Sequence, residues 1–142
     1  MLQQVLEIFN IQPDYDLKIM AHQQTLSEIT SKVILGLDTI LQEEQPDLVL
    51  VHGDTTTTMA ASMSAFYHQI PVGHVEAGLR TWDKYSPYPE EMNRMLTDDI
   101  SDLYFAPTQL SKDNLLQEHH PESQIFITGN TAIVALRYSI RS

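Results

Sequence analysis

The spacing of apolar positions along the chain alternates between two periods. Leu26, Ile29, Val33, Ile34, Leu37, Ile40 and Leu41 recur at helical spacing, and Thr25 followed by Glu28 reads as a capping box, so a helix is expected from Thr25 onward. After the break "EEQP", the run Asp47 to Val51 has the length and β-branched content of a buried strand. The same alternation continues with a helix through Met59, Met63 and Phe66, then a strand from Pro71 to Val75. A helix opening at Pro89, a residue suited to a first helical turn, leads to the short strand "DLYFA". A helix after Pro107 and Thr108, a strand "QIFIT" and a last helix from about Asn130 complete the series. At the other end, Met1 to Phe9 reads as helical, with Leu2, Val5, Leu6 and Phe9 on one face.

Strands that are continuous apolar runs, each followed by a helix, predict an α/β fold: a Rossmann-like parallel sheet with helices on both faces. No repeat, low-complexity tract or linker divides the chain, so residues 1–142 are read as a single, partial Rossmann-like domain. A doubly wound sheet ordinarily starts on a strand that lies centrally in it. Here the first element is a helix, and the strand Asp47 to Val51 is expected to present an unpaired apolar edge.

Charge narrows the partners. Eight Lys plus Arg against nineteen Asp plus Glu give a formal charge of −11, which argues against nucleic acid and against an anionic membrane surface. No run approaches the roughly 20 apolar residues of a membrane span, and the first residues lack a basic, signal-like start. A soluble, cytoplasmic protein is expected. With no cysteine there is neither a disulfide framework nor a thiolate nucleophile.

Candidate chemistry sits where strands end. In an open parallel sheet, ligands bind beyond the carboxyl ends of the strands, where loops enter helix N-termini. "DLVLVHGDTTTT" puts His52, Gly53 and Asp54 at one such end, and "IPVGHVEAGLRT" puts His74 and Glu76 at the next, with Gly78 and Arg80 beyond. Taken singly, Asp54 or a following threonine reads as a helix cap, and Glu76 as a loop acid paired with Arg80. Glu90 and Glu91 in "YSPYPEEMNR" fall in a first helical turn where the helix dipole favours ionised acids, with Arg94 one turn after Glu90 and with Tyr85 and Tyr88 able to line a pocket. Three carboxylates on one rim suit proton transfer at carbon. Divalent-metal binding is the weaker option, because the acids are scattered and no histidine pair supports them; His119 and His120, beside Pro121, read as solvated loop residues.

"DLVLVHGDTTTT", "IPVGHVEAGLRT", "YSPYPEEMNR", "FAPT" and "IFITGNT", in this order, closely resemble the non-hydrolysing UDP-N-acetylglucosamine 2-epimerases. The resemblance implies a GT-B-like architecture of two Rossmann-like domains, with this chain covering most of the first. It implies interconversion of UDP-GlcNAc and UDP-ManNAc by elimination of UDP and re-addition with inversion at C2, without a cofactor. It assigns Asp54, Glu76 and Glu90 as the essential acids, with Asp54, Glu76 and Arg80 as substrate-binding residues and Arg80 and Arg94 able to orient Glu76 and Glu90. A homodimer or a complementing polypeptide is expected as partner, and the chain alone is expected to be silent, because the family's UDP-binding domain and first strands have no counterpart here. Trp82, Asp98, Tyr104 and Val134 depart from the residues usual in the family. A non-catalytic binding or assembly module remains the alternative.

Overall fold

A computed structural model describes residues 2–141. In chain order, α1 spans Leu2–Ile8, α2 Leu26–Glu44, β1 Val49–His52, α3 Thr56–Tyr67, β2 Val72–Val75, α4 Glu90–Ile100, β3 Leu103–Ala106, α5 Gln109–Gln117, β4 Ile125–Ile127 and α6 Thr131–Arg141. A 3-10 turn, Glu122–Gln124, leads into β4. The element series is the one expected, with strand and helix limits shifted by one or two residues; Met1, placed in the first helix by its pattern, lies outside the described residues.

The four strands form one parallel sheet in the order β1-β2-β3-β4, in register Val49↔Val72, Gly73↔Leu103 and Tyr104↔Ile125. The α/β, Rossmann-like class follows. Each strand is the lateral neighbour of the one before, so right-handed crossovers carry α3, α4 and α5 to the same side of the sheet. Val51, Val72, His74, Tyr104, Ala106 and Ile125 are buried on that side. Alternate residues point to the opposite side, where Leu50 is 60% and Phe126 47% exposed and Phe126 stacks on Phe105. β1 is an edge strand.

Two apolar clusters divide the helix-covered side. Leu41 of α2 packs with Val51, Ala65 and Val72, while Ala77, Tyr104, Ala106, Leu115 and Ile125 gather under α5. The buried residues of α3 are Thr56, Thr58, Ala60, Ser62, Ser64 and Ala65, small side chains on two sides of the helix, and Phe66 is 60% exposed. This helix lies against α2, α4 and the sheet at once, and small side chains allow that close approach. Met59, Met63 and Phe66 lie on the arc between those two sides.

α2 starts as expected, with Glu28 N–H donating to Thr25 Oγ1. Gly78 shows how tightly the loop after β2 is held: its φ is +89°, and an added Cβ would stand 2.3 Å from the backbone oxygen of Ser111. Gly129 has a similar φ of +81° but open space around it. Gly78→Ala is therefore expected to destabilise the fold by roughly 3 kcal/mol through strain and overlap together, and Gly129→Ala by about 1 kcal/mol. Urea unfolding of the two variants checks this ordering.

Candidate active site

The threonines after β1 explain why Asp54 is free for chemistry. Thr55, not Asp54, caps α3, its Oγ1 accepting from Thr58 N–H. Thr58 Oγ1 donates back to His52 O, closing the turn. The Asp54 carboxylate is left to accept from Arg94 Nη1 at 3.2 Å, and Asn93 Nδ2 donates to Asp54 O. The rim after β1 is thus tied to α4.

Glu76 stands at the neighbouring strand end, where Gly53 N–H donates to Val75 O and extends the ladder past the strands. A Cβ at Gly53 would lie 4.0 Å from Glu76 Oε2, so the loops bearing the two acids are in contact. Glu76 occupies the left-handed region with φ +66°, a costly conformation for a long side chain. His52 Nε2 at 3.4 Å and Thr131 Oγ1 at 3.5 Å approach its Oε1. Those two residues, and not Arg80, orient Glu76.

Arg80 is turned inward instead. Its guanidinium, 0% exposed, donates to Asp98 Oδ2 at 2.8 Å and to Glu118. Asp98 also accepts from Gly78 N–H at 3.2 Å and from His74 Nδ1 at 2.5 Å, while His74 Nε2 reaches Gly53 O at 2.7 Å. A carbonyl only accepts, so Nε2 donates to Gly53 O, and the Asp98 carboxylate accepts the hydrogen bond from Nδ1. Burial alone would push the Asp98 carboxyl up; the His74 ring and the Arg80 guanidinium outweigh it and hold it below the ordinary carboxylate range.

Arg94 is likewise not a partner of Glu90. It grips Glu91, whose side chain is 0% exposed and which also accepts from the N–H groups of Thr81 and Trp82. Facing inward at the start of α4, Glu91 is the nearest acid to Arg94's guanidinium, whereas Glu90 makes no hydrogen bond or ion pair among the described residues. Glu90 precedes Asn93 and Arg94 by three and four residues, so it shares their stripe of α4, the one that reaches Asp54. Burial pushes the Glu91 carboxyl up, but the bonds from Arg94, Thr81 and Trp82 prevail and leave it lowered.

Tyr85 and Tyr88 line a cavity of about 330 Å³ together with Leu26, Met59, Met92 and Leu96. Among the described residues none of the three rim acids lines it, and it adjoins the rim through Pro89, Asn93 and Thr56. Among the described residues the rim acids do not converge at metal-ligand distance; the one such cluster, Asp99, Glu118 and His120, lies at the far ends of α4 and α5. His120 is not a solvated loop residue, its side chain being only 10% exposed, because the turn after α5 folds its ring against Tyr104. Sequence reasoning missed His74, Asp98 and Glu91 as the groups that fix the rim; histidine in mid-strand and acids on an inward helix face were the available signals.

A parallel α/β sheet with acids held at adjacent strand ends belongs to the class of folds that bind ligands beyond those ends, and comparison with known proteins narrows the class to a family. The family model described as UDP-N-acetylglucosamine 2-epimerase matches residues 1–142. The chain is 61% identical to the UDP-N-acetylglucosamine 2-epimerase of Bacillus subtilis over 99% of its length and 37% of that protein, and 61% identical to the enzyme of Escherichia coli K12 over 96% and 36%. The crystal structure of UDP-GlcNAc 2-epimerase from Neisseria meningitidis bound to UDP-GlcNAc superposes with a TM-score of 0.95 at 57% identity, covering 99% of this chain and 38% of that one. A Methanocaldococcus jannaschii structure in complex with UDP-GlcNAc and UDP gives 0.85 at 44% identity, covering 91% and 35%. The chain belongs to the UDP-N-acetylglucosamine 2-epimerase family and has the fold of part of the N-terminal domain of its GT-B-like architecture. It spans a little over a third of the length of these relatives.

Because the Glu91 carboxyl is lowered in the folded state, its contribution is present above the unfolded carboxyl range and is lost as pH falls through the folded value. Glu91→Gln is expected to cost about 3 kcal/mol at pH 7, since it leaves Arg94 buried without its nearest partner. The variant's deficit relative to wild type should shrink as pH falls toward 4. Urea midpoints of both proteins at pH 7 and pH 4 measure it.

Proposed function

We propose that this chain supplies the acid-bearing half of an epimerase site that interconverts UDP-GlcNAc and UDP-ManNAc. In this reading one rim carboxylate takes the C2 proton while the C1–O bond breaks and UDP leaves with the electron pair. A second group returns a proton to the opposite face of C2 as UDP adds back, which inverts the configuration. Asp54, Glu76 and Glu90 share these roles and the contacts to the sugar. Arg80, with its buried guanidinium on Asp98 and Glu118, acts by holding the loop that presents Glu76. The observation that carries the reading is the pairing of Asp54 and Glu76 on touching strand-end loops, with Glu90 free on the helix stripe that grips Asp54.

Expelling UDP requires donors for a departing diphosphate, and the chain spans a little over a third of its relatives' length, so we infer that it is silent alone. Activity then requires the parts of the family's fold that this stretch does not span, with a homodimer or a complementing polypeptide as partner, working in the cytoplasm toward cell-envelope polysaccharide. The exposed Leu50 and Phe126 on the open sheet face and the edge strand β1 favour a second reading, an assembly module whose role is to pair with another polypeptide.

Titrating UDP-GlcNAc into the purified chain while following amide shifts and C2 proton exchange in deuterated water tests the proposal. Shifts confined to residues around Asp54, Glu76 and Glu90 without exchange are expected. Exchange would overturn the inference of silence, and absence of any shift at high ligand concentration would favour the assembly module.

A further inference from the structure

At the C-terminal ends of α4 and α5, Asp99, Glu118 and His120 each offer a ligand atom, all within 4.8 Å of one another. The state of the histidine follows from its neighbours. Tyr104 Oη spends its one hydrogen on Ser101 O at 2.7 Å, because a carbonyl only accepts, so at 3.1 Å it must accept from His120 Nδ1–H. In the neutral ring this leaves a lone pair on Nε2. That atom is buried, has no hydrogen-bond partner, and sits 3.7 Å from Asp99 Oδ1 on a side chain only 10% exposed. An orphaned nitrogen lone pair facing two carboxylates lacks a cation.

We propose that Asp99, Glu118 and His120 bind a divalent cation of the zinc type. One imidazole and two carboxylates are a donor set suited to Zn²⁺, which takes such ligands at about 2.0–2.2 Å and leaves room for water at the fourth position. The Asp99 side chain, 66% exposed, has room to turn toward the other two ligands. The Tyr104 hydroxyl supplies the outer bond that fixes a ligating histidine's tautomer.

The helix ends agree. Neither α4 nor α5 carries a basic residue in its last turn, although helix C-termini favour positive charge; Asp99 and Glu118 lie there instead. Glu118 also accepts from Arg80, so the ion would brace the network beneath the Glu76 loop while Asp98 balances the guanidinium.

The test is calorimetric titration of the purified chain with Zn²⁺, with Co²⁺ absorption as a second probe and ¹⁵N shifts of the His120 ring reporting the ligating atom. One ion per chain bound through Nε2 is expected, with affinity lowered tenfold or more in both Asp99→Asn and His120→Gln and unchanged in His119→Gln, the exposed neighbour. Amide spectra confirm that each variant is folded; should His120→Gln unfold, Asp99→Asn at its exposed position carries the comparison. Absence of binding below millimolar metal, unchanged affinity in Asp99→Asn, or loss of binding in His119→Gln would overturn the proposal.

Discussion

The Asp98 carboxylate is the point on which the rest of the site depends. Buried beside β2, it receives the ring of His74 from the middle of the sheet, the N–H of Gly78 from the loop after β2, and the guanidinium of Arg80. Through His74 Nε2 it also governs the carbonyl of Gly53, and so the turn that carries Asp54. One side chain on α4 therefore sets the relative position of two loops from two different strands. A buried carboxylate is tolerable only because three donors meet it, and removing one would leave charge uncompensated in a low-dielectric interior.

A second buried acid, Glu91, performs the matching task at the other end of α4. It gathers Arg94 and the backbone of Thr81 and Trp82, so the first part of the long loop from Gly78 to Pro89 is pinned at two points to a single helix. The sequence "PEEMNR" thus divides its labour. Glu91 faces inward and is consumed by structure, while Glu90, one position earlier and rotated by about 100° on an ideal helix, keeps its carboxylate unengaged among the described residues.

The order of elements was legible in the sequence because the hydrophobic period switches cleanly and the caps are written locally: Thr25, Thr55 and Thr108 each accept from an N–H three residues on. The placement of Asp54 and Glu76 on neighbouring strand ends was legible too, since a parallel βαβ unit leaves little choice. Side-chain pairing was not. Arg80 and Arg94 each have several acids within reach along the chain, and which one is met depends on helix rotation and on how far α4 approaches β2, quantities that periodicity leaves open. The burial of small residues in α3 escaped for a related reason: Met59, Met63 and Phe66 make a conventional apolar stripe, but contact with α2, α4 and the sheet buries the small residues on either side of it.

The open side of the sheet has a colloidal consequence. Leu50, Phe105 and Phe126 form an apolar surface on a molecule of formal charge −11, so two kinds of force act between copies. Like-charge repulsion is long-ranged in dilute salt, whereas apolar attraction acts only at contact. At physiological ionic strength the screening length falls to about 8 Å, and the repulsive barrier shrinks toward the reach of the side chains themselves. The salt concentration of the medium thereby decides whether these surfaces meet.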